Sequence, residues 1–175
     1  MMRAGDFILR PYQPSDAADI GAAVRESADT IGRWMDWATP DFDDYDAACW
    51  VAKCTQNRAA GTAHEFGIFT PDGAFVGGCG LNHFSSLHNF CNLGYWVRQS
   101  RGGAGAATAA TLALRDLGLA RLRLSRIEII VGDGNVASMA VARKAGATYE
   151  CLAQNRLQLR GKPIAGHVFS FTSAD

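Results

Sequence analysis

Three glycines stand where a strand hands over to a helix. In "YWVRQSRGGAGAATAATLAL", Tyr95 to Leu114, a run with β character leads into Gly102, Gly103 and Gly105, and these lead into an alanine-rich helix. Glycine inside a helix costs about 0.5–1 kcal/mol relative to alanine, so its crowding at a helix start calls for a backbone reason. A glycine loop between strand and helix lets successive N–H groups turn toward one point, and the helix N-terminus adds partial positive charge there. That combination suits a phosphate. The competing reading is a tight turn with small residues for close helix–sheet packing, and the loop alone leaves both open. Two familiar phosphate loops fail on spacing. G-x-x-x-x-G-K-[ST] has no lysine here, and G-x-G-x-x-G meets Thr108 where its third glycine belongs.

The rest of the chain predicts a mixed sheet with helices. "DFILRPY" reads as a strand stopped by Pro11, and "SDAADIGAAVRESA" as a helix opened by Ser15 or Asp16. "TIGRWMDWATP" reads as irregular or a short helix, and "YDAACWVAKCTQNRAA" as a helix ending at Gly61. "AHEFGIFT" and "AFVGGCGLNHF" flank the turn "PDG", and "FCNLGYWV" follows as a third strand. A helix is expected from about Gly105 to Leu119, then a buried strand "RIEIIVG", and a short helix "NVASMAVARKAG" closed by Gly146. "TYECLAQNRLQL" and "AGHVFSFT" form a closing hairpin. This order predicts an α/β fold of the α+β kind: one layered sandwich on a mixed sheet, not a doubly wound one.

Length and charge narrow the function classes. A chain of 175 residues fits one domain, 1–175, with a real core. Seventeen basic residues balance seventeen acidic ones, so no global field favours nucleic acid or an anionic membrane. "MMRAGDFILRP" lacks the apolar run of a signal peptide. Cys49, Cys54, Cys79, Cys91 and Cys151 are an odd set with no C-x-x-C pair. They argue against a disulfide framework or a zinc site and for a reducing cytoplasm.

Read together, the motifs resemble those of the GNAT acetyltransferases, in particular the RimJ/RimL-like branch that acetylates protein N-termini. That branch reads G-Y-W, a few residues, then G-x-G-x-A-T-x-A. Here stand Gly94, Tyr95 and Trp96, then Gly103, Gly105, Ala107, Thr108 and Ala110. A looser superfamily register, Gln99-x-x-Gly102-x-Ala104, fits the same loop. The following helix matches as well: Asn135, Ser138, Ala142 and Gly146 fall at i, i+3, i+7 and i+11 and share a face. "LRPYQPSDAADI" and "RWMDWATP" resemble the family's first strand and helix and its Trp-containing substrate segment.

The resemblance implies a GNAT acyl-CoA N-acyltransferase fold, its sheet splayed at the acyl-CoA site. It implies acetyl-CoA as co-substrate, no metal, and a homodimer as the family's assembly. The CoA contacts it implies are Trp96, Val97, Arg98, Arg101, Gly102, Gly103, Ala104, Gly105, Ala106, Ala107, Asn135 and Ser138. Trp34 and Trp37 would line the acceptor groove. The acceptor is expected to be a protein N-terminal α-amine; a small amine, or a non-catalytic acyl-CoA sensor, are the other readings.

The resemblance, with the needs of the chemistry, implies the remaining roles. The amine must be neutral, the thioester carbonyl must be polarised, and the departing thiolate benefits from a proton. A backbone N–H near Trp96–Val97 would polarise the carbonyl. The tyrosine that many family members carry on the last of these helices is replaced by Ala142; the resemblance to RimL-like members implies Ser138, with Asn135, for the sulfur. A carboxylate often precedes "LGYW" in relatives, and Asn92 stands there instead, which cannot accept a proton. His83, His88 and Glu65 are the candidate bases.

Overall fold

In the computed structural model, which describes residues 1–173, alternation along the strands sends apolar side chains to both faces of one sheet. The elements run β1 (Met2–Ala4), β2 (Phe7–Arg10), α1 (Ala17–Ile31), α2 (Asp44–Ala60), β3 (His64–Phe69), β4 (Phe75–Ser85), β5 (Phe90–Val97), α3 (Ala106–Asp116), β6 (Arg126–Gly132), α4 (Val136–Lys144), β7 (Thr148–Leu159) and β8 (Lys162–Thr172). The eight strands lie in the order β1-β2-β3-β4-β5-β6-β8-β7. Every neighbouring pair is antiparallel except β5 and β6, which α3 connects as a parallel crossover. The α/β expectation with a mixed sheet flanked by helices is what the chain adopts.

Helices α3 and α4 cover one face. Leu9, Ile68, Leu81, Leu93, Leu114, Ile127 and Phe169 are buried there, each stabilising by about 1.5–3 kcal/mol when fully withdrawn from water. Helices α1 and α2 cover part of the other face, over Tyr12, Phe69 and Phe75. Helix α1 buries Ile20, Ala23, Val24, Ser27 and Ile31, a single helical stripe. Helix α2 starts on a capping box between Asp43 and Asp46 and ends at Gly61 with φ +69°, the left-handed stop that glycine permits. Before α1, a short turn at Pro14–Asp16 puts the Asp16 carboxylate against Arg10, at 2.8 Å from each of two guanidinium nitrogens.

Two features differ from the sequence expectation, and a third decides between readings it left open. Met2–Ala4 pairs with β2 as an extra edge strand, turning at Gly5. Helix α3 stops at Asp116, and Leu117–Arg121 winds on as a π-turn with Leu122 N–H donating to the Leu117 carbonyl at 2.9 Å. Residues 32–43 form neither helix nor strand, which decides the irregular reading of "TIGRWMDWATP" past Ile31. Among the described residues, no helix is long and apolar enough to cross a membrane.

Candidate active site

The parallel pair creates the site by coming apart. Strands β5 and β6 pair only where Phe90–Asn92 faces Arg126–Glu128. Beyond that apex, Leu93–Val97 and Ile129–Gly132 diverge and line a cavity of about 960 Å³. The β5 edge facing β6 has no ladder partner past Asn92. Its free N–H and C=O groups open into the cavity, ready to hold an extended amide chain. Both strands end at this cleft, so the first turns of α3 (Ala106, Ala107) and α4 (Ala137, Ser138) line it too.

The glycine loop forms one wall. Gly103 and Gly105 have φ of +80° and +82°, and a Cβ built on either would meet nothing within 4 Å. Among the described residues, no group accepts a hydrogen bond from the N–H groups of Gly103 through Thr108; the first helical bond is Ala109 N–H to the Gly105 carbonyl. Six consecutive donors at a helix N-terminus with no side-chain cap make a cradle for an anion. Helix α1 fixes the loop's approach. The Glu26 carboxylate accepts from the Arg98 guanidinium and, at 2.7 Å, from the Ser100 N–H, while Ser27 Oγ accepts from the Gln99 N–H at 2.9 Å. The Arg98 hydrogen bond holds the Glu26 carboxyl down at about 2.

Helix α4 forms the facing wall. Asn135 caps it, accepting from the Ser138 N–H at 3.1 Å. Tyr95, on β5, reaches across to Ser138: its hydroxyl donates to the Ser138 carbonyl at 3.0 Å and lies 2.9 Å from Ser138 Oγ. Burial pushes the Tyr95 phenol up to about 12, against the smaller lowering by Ser138, so it stays an O–H group at neutral pH. Tyr95 lines the cavity and was not among the residues singled out for the site. Strand alternation from Cys91 and Leu93 would have placed it on the α3/α4 face, but its partner 43 positions on has no local signature.

Part of the cavity wall lies between α1 and the β7–β8 hairpin. Trp34 packs against Gly132 and Gly134 and lines the cavity with Met35, Leu157, Leu159 and Ile164. The hairpin tip clasps the segment after α1: Arg160 N–H donates to both Asp36 carboxylate oxygens, at 2.9 and 2.7 Å, and its guanidinium donates to the Gly32 carbonyl at 3.1 Å.

Of the residues expected in the site, Trp34, Trp96, Val97, Arg101, Gly102, Gly103, Gly105, Ala106, Ala107, Asn135 and Ser138 line this one cavity. Ala104 and Arg98 stand outside its lining, Arg98 being engaged with Glu26. Trp37 lies apart, edge-on to Trp96 with ring centroids 5.8 Å away, in a shallow aromatic hollow with Phe42 and Trp50. His83 and His88 are exposed and off the cavity. Glu65 is buried beside Gly80, and burial raises its carboxyl. Its Oε1 accepts from Asn82 Nδ2 at 3.0 Å, and Asn82 Oδ1 accepts from Asn92 Nδ2 at 3.0 Å.

A splayed parallel pair, an uncapped glycine loop and a hydroxyl-bearing helix define an acyl-CoA-dependent transferase by class. Residues 6–148 match the acetyltransferase (GNAT) domain family, and the chain belongs to it. A Vibrio cholerae protein of known structure, provisionally named a ribosomal-protein-serine acetyltransferase, is 32% identical. The match covers 96% of this chain and 94% of that one, with a TM-score of 0.85. RimJ of Mycobacterium smegmatis, solved with a CoA disulfide, is 27% identical over 97% of this chain and 83% of its own, at the same TM-score. YdaF of Bacillus subtilis, provisionally named a ribosomal N-acetyltransferase, is 25% identical over 87% of this chain and 84% of its own. The protein is a GNAT N-acetyltransferase, and these relatives favour an enzyme over the acyl-CoA sensor.

Proposed function

We propose that this enzyme transfers an acetyl group from acetyl-CoA to the N-terminal α-amine of a protein or peptide. The observation that carries the CoA half is the row of unpartnered N–H groups from Gly103 to Thr108, placed at one end of the cleft, with Ser138 and Tyr95 on its wall. A cradle with two positive-φ glycines and no Cβ in the way fits a pyrophosphate. The free edge of β5 suits the amides of the pantetheine arm.

Bound acetyl-CoA supplies an activated acyl group on sulfur. This chain's residues would do the rest. A free N–H of β5 near Trp96–Val97 polarises the acyl carbonyl, a donor fixed before reaction and so costing no reorganisation. As the new C–N bond forms and the C–S bond breaks, the amine's surplus proton leaves to water. Ser138, held by its own N-cap and by Tyr95, directs a proton toward the departing sulfur. Trp34 and the β7–β8 hairpin close the acceptor side and exclude water.

The relatives named for ribosomal proteins support a protein acceptor. So does the chemistry: position 92 is an asparagine rather than a carboxylate and, among the described residues, no histidine lines the cleft. A site of that kind favours an amine that is already partly neutral. Thiol release from acetyl-CoA, measured against N-terminal peptides and a panel of small amines, tests the proposal. Turnover with peptides above that with every small amine is expected. Turnover confined to a small amine would refute the acceptor, and no amine-dependent turnover would refute the transferase reading.

A further inference from the structure

Ile130, on β6, packs into neither hydrophobic core. Ile127, Ile129 and Val131 sit in the core under α3 and α4, so strand alternation turns Ile130 and Gly132 to the opposite face. A Cβ on Gly132 would lie 3.1 Å from the Trp34 indole and 3.4 Å from Ile164 Cδ1, which places both side chains over this face. On β7, Leu157 is the register partner of Ile164, and Leu159 follows two residues on, so both share that face. Trp34, Ile130, Leu157, Leu159 and Ile164 are half-buried, belong to neither core and line the cavity. An apolar wall left uncovered inside a cleft matches an apolar group on a ligand.

The location says which ligand group that is. Carrying the register on from Asn92 opposite Glu128 sets Gly94 against Ile130 and Trp96 against Gly132 across the gap. The apolar pocket therefore begins directly across the cleft from the N–H proposed to polarise the acyl carbonyl. The anion cradle and Ser138 belong to α3 and α4 on the other face, so this pocket falls to the molecule that attacks from its own side. Charge narrows the choice further. Among the described residues no aspartate or glutamate lines the cavity, whereas Arg33, Arg101 and Lys144 do. A cationic side chain finds no partner there.

We propose that this pocket receives the side chain of the acceptor's N-terminal residue and selects a leucine- or methionine-like one, with Leu157, Leu159 and Ile164 as specificity-determining residues. The assignment rests on the N-terminal acetyltransferase reading above and adds which N-termini are taken. The α-carbon is bonded directly to the attacking nitrogen, so the first side chain lies beside the acyl carbon while later residues lead outward.

The test is kcat/KM on peptides that differ only at the first residue (Leu, Met, Ser, Asp or Lys), with acetyl-CoA saturating. Leucine and methionine should exceed serine, aspartate and lysine by about tenfold or more, the scale of burying one such side chain. Leu157→Glu places a carboxylate in the pocket and should raise lysine-first over leucine-first peptides about tenfold relative to wild type, with acetyl-CoA Kd unchanged. Leu157→Ala should shrink the leucine-over-serine ratio several-fold, which covers a charged variant that folds poorly. Hexanoyl-CoA is run beside acetyl-CoA. A wild-type preference for hexanoyl-CoA that either variant abolishes would give the pocket to the acyl chain and overturn the proposal. First residues within about twofold of one another on wild type, or a leucine preference untouched in both variants, would overturn it while leaving N-terminal acetylation intact. A wild type that acetylates no peptide would overturn both.

Discussion

The Tyr95 hydroxyl lies 2.9 Å from Ser138 Oγ and 3.0 Å from the Ser138 carbonyl, tying β5 to α4 across the cleft. The phenol is pushed up to about 12 by burial, so its proton stays and serves orientation. When Tyr95 donates to the carbonyl, its own oxygen can receive the Ser138 hydroxyl; when Tyr95 swings to Oγ, the serine proton is released toward the cleft. Either hydroxyl can be the donor in this pair, so Tyr95 controls the direction in which Ser138 presents its proton.

Tyr95→Phe keeps the ring and removes that control. It should cost about 1 kcal/mol of stability and lower kcat roughly tenfold, with a smaller change in KM for acetyl-CoA. Ser138→Ala should lower kcat at least as far, and adding Tyr95→Phe to it should change little further. Steady-state kinetics on the three variants, with chemistry shown to be rate-limiting, decides this. Independent, multiplying losses would separate the two residues.

Gly103 distinguishes strain from charge. Its φ of +80° leaves open space for a Cβ, so Gly103→Ala bears only the ~1–2 kcal/mol of a left-handed backbone. Gly103→Asp adds a carboxylate beside the proposed pyrophosphate position, where like charges about 4 Å apart repel by about 4 kcal/mol at an effective dielectric of 20. Calorimetric titration should show acetyl-CoA affinity falling on the order of a hundredfold or more for Asp and far less for Ala. Wild-type affinity in a folded Gly103→Asp protein would remove the loop from the CoA site.

Glu26 should show itself through pH. Its carboxyl is held at about 2, chiefly by the Arg98 hydrogen bond, below the ~4.3 of an unfolded chain. Its stabilisation is therefore complete above that unfolded value and lost as pH falls through about 2. The Arg98–Glu26 pair is partly solvated, which keeps its worth to ~1 kcal/mol or less. In urea denaturation, wild type should exceed Glu26→Gln at pH 7, and the gap should shrink by roughly half or more at pH 3. The variant should also bind acetyl-CoA a few-fold more weakly at pH 7, because Ser100 loses an anchor. A gap that widens on acidification would contradict the assignment.

What could be read from the sequence was local. The opening of α1 at Asp16, the glycine stop at 61 and the glycine loop all act within a few positions, and each formed where the local sequence placed it. The apex of the cleft, the Asp36–Arg160 clasp and the Glu65–Asn82–Asn92 chain join residues 10 to 124 positions apart. No periodicity encodes such pairs, because register between distant strands sets them. For the same reason His83 and His88, attractive as bases by residue type, stand exposed and off the cavity, His83 at the end of β4 and His88 on the turn that follows. Residue type names candidates; only topology brings them to one place.

The proposed acceptor is an amine that reaches the cleft partly neutral. An α-amino group of pKa ~7.7–8.0 is roughly a tenth neutral at pH 7, whereas a lysine side chain near 10.4 is neutral about once in a few thousand molecules. The most direct measurement is mass spectrometry of products from one lysine-containing peptide, with its N-terminus free or blocked, incubated with enzyme and acetyl-CoA. Rapid acetylation at the free α-amine is expected, with slow or absent acetylation of the lysine in the blocked peptide. Faster acetylation of the lysine would contradict it.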